Sequence, residues 1–275
     1  MHRKKSTQAC ATLTSMETVK MENLAVIVIA YNEEKNIGDC LGSVASIANE
    51  IILVDSFSQD DTVKIAHNYT DKIFQRHWTG FADQKQFALD QATSKWVLNL
   101  DADERVSPEL SAEIADLLAG QPQFEGFRIP RKSYFLGKWI RHCGWYPGYQ
   151  VRLFLREKTR VSQSNVHEGF IVGGAIGILS QNIIHFSHPT IEESFRKMVV
   201  YSSLEALDRL ERKQARWYHF IGNPLAEFFK KYIAQKGFLD GIHGLILSMI
   251  AATLKMMLYM RIWEKQRQRS TSVSK

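Results

Sequence analysis

Three clusters of oxygen-bearing side chains stand at the ends of apolar runs. They are Ala30-Tyr31-Asn32-Glu33-Glu34, Asp55-Ser56 and Asp101-Ala102-Asp103. Two carboxylates spaced as Asp-x-Asp are hard ligands for Mg²⁺ or Mn²⁺, and Mg²⁺ in particular keeps part of its shell for substrate phosphates. As a calcium loop the same segment fails. Arg105 falls where position 5 donates oxygen, and Val106 where position 6 requires glycine. Two acids on a solvated turn are common, so the weight lies in their setting, an apolar strand before them and a capped helix after. No G-x-G-x-x-G follows the first apolar run and no G-x-x-x-x-G-K-[ST] occurs, so dinucleotide and P-loop readings lose their main support.

Groups of this kind need a framework that brings strand ends together. Leu24–Ala30 (LAVIVIA), Ile51–Asp55 (IILVD) and Trp96–Leu100 (WVLNL) are apolar runs of the type that forms buried parallel strands, with a weak strand at Lys72–Phe74. Helical spacing is predicted from about Glu34 to Ala48, over Asp61–Asn68 and over Asp83–Ala92. Ser107-Pro108-Glu109 supplies an N-cap, an N1 proline and a first-turn acid for a helix to about Leu118. This βα alternation predicts an α/β fold with a doubly wound sheet, whose ligands sit at the carboxyl ends of the strands. Short strands are expected near Phe127–Pro130, Val151–Arg156 and Ile183–His185. Beyond Thr190-Ile191-Glu192-Glu193, a capping box, the chain reads as helical, with one helix after Asn223-Pro224 and another from about Phe238 to Trp263.

The motifs Ala30-Tyr31-Asn32-Glu33-Glu34, Val54-Asp55-Ser56 with Asp60-Asp61-Thr62, and Leu100-Asp101-Ala102-Asp103-Glu104, in this order and spacing, resemble the family 2 glycosyltransferases of the Rossmann-like GT-A fold. Gln150-Val151-Arg152-Leu153-Phe154 and Val166-His167-Glu168, followed by a helical tail, resemble the branch that contains bacterial lipopolysaccharide inner-core β-1,4-glucosyltransferases. The resemblance implies inverting transfer of a sugar from a nucleoside diphosphate donor, a UDP-sugar by preference, to a saccharide or lipid-linked acceptor. It implies that Ala30, Tyr31, Asn32, Glu33 and Asp55 hold the nucleoside, that Asp101 contacts ribose or metal, and that Asp103 ligates the metal. Two departures stand out. The loop Ser56-Phe57-Ser58 replaces a glycine-containing Asp-Gly-Ser turn, and Gln150-Val151-Arg152 lacks the Q-x-x-R-W spacing of processive members, which disfavours polymer synthesis.

Inverting transfer needs a base at the acceptor hydroxyl and a cation at the departing diphosphate. Glu168 is the expected base, the alternative being a plain loop glutamate. His167, His185 and His188 are candidates to complete the metal shell or touch phosphate, against a structural role for each. Lys85, Arg131, Lys132 and Arg152 are weighed as phosphate or acceptor contacts against solvated surface. Trp139, Trp145 and Tyr146 suit stacking on sugar rings or an aromatic core cluster equally.

The 275 residues are 45% hydrophobic and 23% charged, which excludes wholesale disorder and collagen-like architecture. Cys10, Cys40 and Cys143 are scattered without a C-x-x-C, so a disulfide framework and a zinc ribbon are not expected and a reducing compartment fits. Residues 1–22 are polar without an apolar core and read as a disordered leader, residues 23–188 as the GT-A catalytic domain, and residues 189–275 as a helical, basic extension. That extension carries 15 Lys and Arg against 8 Asp and Glu. Gly237–Met260 approaches a membrane span but is interrupted by Asp240, His243 and Lys255, so a helix lying in the interface of an anionic membrane is favoured over one that packs on the body or a partner subunit and over one crossing the membrane. The expectation is a cytoplasmic enzyme held peripherally at the inner membrane, with no nucleic-acid partner and with a core that survives removal of everything from Gly237 onward. A nucleotidyltransferase and a non-catalytic membrane adaptor are the competing readings.

Overall fold

The computed structural model describes residues 23–162, 169–188, 190–209 and 215–273. The leader 1–22, and with it Cys10, lies outside them. Three apolar runs form parallel neighbours: β1 (Leu24–Ala30) pairs with β2 (Glu50–Asp55) on one side and β4 (Trp96–Asp101) on the other. The short β3 (Ile73–Gln75) adds to β2. Because strand side chains alternate faces, Leu24, Val26 and Val28 join the core under helices α1 (Ile37–Gly42) and α4 (Pro108–Ala119). Ala25 and Ile27 join the opposite core, under α3 (Phe81–Gln91). Helix α2 (Thr62–Ala66) is one turn and a half, shorter than its sequence pattern suggested. Helix α1 likewise stops at Gly42, and the chain to Ala48 closes in turns.

The other side of the sheet departs from a purely parallel arrangement. Strand β9 (Gln150–Leu155) lies antiparallel between β4 and β6 (Gly126–Ile129), and β12 (Ile176–Ile178) extends the edge, giving the order β12-β6-β9-β4-β1-β2-β3. A second sheet of four strands has the order β5 (Glu104–Val106), β13 (Ile183–His188), β7 (Arg131–Phe135) and β8 (Lys138–Trp139). Strands β10 (Thr159–Val161) and β11 (Phe170–Val172) form a separate antiparallel pair. Ser107 Oγ accepts the Leu110 N–H at 3.1 Å, the cap that the sequence specified for α4.

The extension consists of α5 (Ile191–Arg209), α6 (His219–Phe229) and α7 (Ile242–Val273). Thr190 Oγ1 accepts the Glu193 N–H at 3.1 Å and starts α5. Pro224 sits inside α6 instead of opening a helix, because packing of α6 on α7 overrides the local break that proline favours. A π-helical turn, Lys230–Ala234, ends α6. The expected helix beginning at Phe238 begins at Ile242, and Asp240 precedes it. Asp240 is buried and accepts the N–H groups of Arg141 at 3.3 Å and His142 at 2.8 Å, while its own carbonyl accepts from Lys138. One helical stretch among the described residues, Ile242–Gln268 within α7, holds an 18-residue window of mean hydropathy 1.6 and is long and apolar enough to cross a membrane. Its Leu247 nevertheless packs with Phe135, Ile140 and Cys143, and its Leu258, Tyr259 and Ile262 with Ala206 and Phe220. The segment expected to lie in the membrane interface is therefore tied to the body at its N-terminal end and to α5 and α6 at its C-terminal end, and a cut before Gly237 would expose core.

Candidate active site

The parallel register sets Ala30 beside Asp55 and Ile29 beside Asp101, so the three polar clusters share one sheet edge. The loops after β1 and β2 are laced together there. Asn32 N donates to Ser58 Oγ at 2.8 Å, Asn32 Oδ1 accepts the Gln59 N–H at 2.8 Å, and Glu33 N donates to Thr62 Oγ1 at 2.7 Å. Asn32 and Phe57 both have positive φ, 55° and 60°. Asparagine tolerates that region, whereas phenylalanine is strained in it. Phe57 occupies the place where the resemblance leads one to expect glycine, and its ring meets His77 at 4.5 Å between centroids. Asp55 is fully buried and is taken up by the Ser58 N–H at 2.9 Å and Gln75 Nε2 at 3.1 Å. Its carboxylate shapes the loop from beneath, which corrects the expectation that it faces a nucleoside directly. Tyr31 and Asn32 are exposed, Glu33 half-buried and Ala30 buried, leaving Tyr31, Asn32 and the loop backbone as the most accessible part of that set.

Next to this rim stand four acids and four cations. Arg152 Nη2 donates to Asp101 Oδ2 at 2.6 Å and to Glu104 Oε1 at 2.7 Å, and Lys85 Nζ lies 3.4 Å from Asp101 Oδ1. Glu104 also accepts the Asp101 N–H at 3.0 Å and faces Arg131 at 3.5 Å. Burial by itself would raise the Asp101 carboxyl, but Arg152 and Lys85 outweigh it and hold the group well below the usual carboxylate range. Both Asp101 oxygens are thus engaged by cations. Arg152 is only 3% exposed, which corrects its reading as an acceptor or phosphate contact: it is the counter-ion beneath Asp101 and Glu104.

Asp103 is placed differently. Its Oδ2 lies 3.6 Å from His185 Nε2 and 3.5 Å from Lys197 Nζ, on β13 and α5 respectively. Burial opposes ionisation here too, and the His185 hydrogen bond with the charge of Lys197 lowers the carboxyl below its ordinary value. Ser133 Oγ is 3.0 Å from His185 Nδ1, which orients the ring with Nε2 toward Asp103. Glu33 is pushed up by burial, against the hydrogen bond from Asn36, with Asp103 among its neighbours. No cluster of three or more His, Cys, Asp or Glu that could hold a metal occurs among the described residues. Asp103 and His185 do fit as a two-ligand set, because Mg²⁺ and Mn²⁺ are commonly held by one or two protein ligands with phosphate and water oxygens completing the shell.

Glu168 and His167 lie outside the described residues, as do Val166 and the rest of 163–168. Their flanks are joined by the Ser162 N–H to the Gly169 carbonyl at 2.8 Å. Trp145 packs with Phe135 in a core cluster, so the aromatic-core alternative holds for it. Tyr146 remains 37% exposed, edge-on to Trp139. Glu104 and Lys197 are parts of the site that sequence reasoning did not single out. Glu104 follows Asp103 without any spacing signal, and Lys197 is one cation among many on a basic helix.

Residues 25–181 match the family model described as Glycosyl transferase family 2. The chain is 32% identical over 250 residues to "Lipopolysaccharide core biosynthesis glycosyltransferase LpsC" of Rhizobium meliloti (strain 1021), covering 88% of this chain and 92% of the relative. It is 30% identical over 244 residues to an uncharacterized glycosyltransferase of Rickettsia felis, covering 84% and 86%. Among solved structures, the mannosyltransferase PcManGT from Pyrobaculum calidifontis, in complex with GDP-Man and Mn²⁺, shares the fold with a TM-score of 0.53 at 13% identity, over 90% of this chain and 89% of that one.

Proposed function

Starting from a chain that belongs to glycosyl transferase family 2 and has the GT-A fold, we propose inverting, metal-dependent transfer from a nucleoside diphosphate sugar to a lipid-linked saccharide of the lipopolysaccharide core type. Family membership makes the protein a glycosyltransferase that uses nucleotide sugars, and the nucleotidyltransferase and adaptor readings fall with it. The observation that carries the finer reading is Asp103, an ionised carboxylate beside His185, next to the laced loops at the strand ends. A divalent cation held by these two side chains would neutralise charge on the departing diphosphate. Asp101 and Glu104, fixed by Arg152, position the turn that carries Asp103. Tyr31, Asn32 and the backbone of the β1 and β2 loops receive the nucleoside. Glu168 takes the proton from the acceptor hydroxyl, so attack occurs on the face opposite the leaving group without a covalent intermediate.

The acceptor class is supported by the relative named for lipopolysaccharide core biosynthesis, which matches over nearly its whole length. Such an acceptor places the enzyme at the cytoplasmic face of the inner membrane, with residues 23–188 as the catalytic domain and 189–275 as the membrane-associating extension. The test is a thermal-shift screen of UDP-, GDP-, ADP- and CMP-sugars with and without Mg²⁺ or Mn²⁺, since a ligand that binds only the native state raises its melting temperature. A shift that needs both one nucleotide sugar and the cation is expected. Anomeric analysis of the product then decides inversion, and a donor shift indifferent to cations removes the metal from the proposal.

A further inference from the structure

Helix α6 is apolar on its outer face as well as on the face that packs against α7. A surface helix of a globular domain turns its apolar stripe inward, yet Trp217, Ile221, Leu225, Phe229 and Ile233, spaced by four residues, are exposed by 76%, 60%, 53%, 57% and 54%. The chain that follows keeps Phe238, Leu239 and Ile242 exposed as well. Contiguous apolar exposure on this scale marks an interaction surface. The charges around it select the partner. Arg216, Lys230 and Lys236 are exposed within the same stretch, and its sole acid between Ala215 and Leu239, Glu227, is already 3.8 Å from Lys230. Pressing this face onto a second copy of itself would bring like charges together with no acid to offset them. Trp217 and Tyr218 sit beside Arg216 at the start of the stripe, the aromatic and cationic pairing that suits the headgroup level of a bilayer.

We infer that the outer face of α6 and the turn after it, from Trp217 to Ile233, is the surface by which this protein docks onto an anionic lipid bilayer. The inference rests on the membrane association proposed above and moves its seat from α7, whose Leu247 is buried against the body and whose Leu258 and Ile262 are buried against α5 and α6, to α6. The apolar stripe enters the interface while Arg216, Lys230 and Lys236 meet anionic headgroups.

The test is flotation of the full-length protein with vesicles of phosphatidylethanolamine and phosphatidylglycerol, and with vesicles of phosphatidylcholine alone. The double substitution Ile221→Asp with Leu225→Asp is compared with Ile221→Ser with Leu225→Ser, which removes the apolar contact without adding a charge. Both sites are already solvent-facing, so folding is retained, and a nucleotide-sugar thermal shift serves as the check. Wild type is expected to float with the anionic vesicles and to do so less at high salt. Both variants should bind about tenfold more weakly or worse, with an unchanged donor shift. Flotation that survives both variants but is lost on Met249→Asp in α7 would overturn this face while leaving membrane association intact. Wild type that ignores anionic vesicles would overturn both, and a wild-type dimer dissolved by the substitutions would assign the stripe to a second copy. None of these outcomes touches donor binding, which reports separately on the glycosyltransferase site.

Discussion

The Arg152 guanidinium stands 2.6 Å from the Asp101 carboxylate and reaches Glu104 with the same nitrogen. Two acids that would repel one another under the turn carrying Asp103 are thereby held together by one buried cation. Arg152 and Lys85 engage both oxygens of Asp101, whereas the contacts of Asp103 run through Oδ2 alone, to His185 and Lys197. The shared pairing makes Arg152 a stability residue at the centre of a catalytic motif.

Arg152→Met is accordingly expected to lower the free energy of unfolding by about 3–5 kcal/mol, the usual scale for stranding a buried charge. Arg152→Lys should recover only part of this, since an ammonium cannot reproduce the planar donor geometry. Urea titrations of the three proteins at neutral pH would read the effect, and an undiminished midpoint in Arg152→Met would refute the counter-ion role.

Asp103→Asn should abolish sugar transfer and erase the cation-dependent part of the donor thermal shift, while leaving the melting temperature of the free protein close to wild type. Lys197, with 41% of its side chain exposed, can turn to solvent, and His185 keeps its contact with Ser133. Normal turnover at saturating Mn²⁺ would remove Asp103 from the metal site.

For Glu168→Gln, donor binding should persist while the transfer rate falls by about 10²-fold or more, the scale of losing a general base. Rate and melting temperature must be measured together, because a collapse of stability would make Glu168 a structural residue.

Glu50, at the opposite end of the sheet from the site, tests the packing of the body. Burial would raise its carboxyl, but the Lys72 ammonium and the Ser94 and Thr93 N–H groups outweigh that and bring it down from 4.5 to about 2. A folded-state value below the unfolded one means stability that is present above about 4.5 and lost as pH falls toward about 2. Glu50→Gln should therefore destabilise the protein at neutral pH by about 1.5–3 kcal/mol, and the gap from wild type should close across that acid window. A gap independent of pH would assign the loss to packing alone.

The parallel strands and their acidic ends were legible because unbroken β-branched runs have few alternatives, and the Ser107 cap because its chemistry is local. Strand β9 was placed by its apolar pattern, but its antiparallel insertion beside β4 depends on pairing across more than fifty residues, which local propensity does not encode. The same distance hid the meaning of Arg152, whose type and position suggested a ligand contact until Asp101 and Glu104 were seen against it. Pro224 misled for the converse reason: a strong local signal was overruled by the packing of α6 on α7. The outward stripe of α6 has ordinary helical spacing, and spacing alone does not say which face meets the protein.

The antiparallel setting of β9 bears on how the enzyme comes into being as the ribosome delivers it. By the time β5 emerges, the loops after β1 and β2 and the whole Asp-x-Asp motif exist, yet the cation that reconciles Asp101 with Glu104 is still to be synthesised. A nascent chain ending between Glu104 and Gln150 carries every acid of the motif and lacks the counter-charge that Arg152 shares between Asp101 and Glu104. The N-terminal half that looks most like a self-sufficient nucleotide-binding module is thus the half that cannot finish its own catalytic edge. Closing that loop demands chain entropy before any contact rewards it, so activity should arrive late in synthesis, after β9 has threaded beside β4.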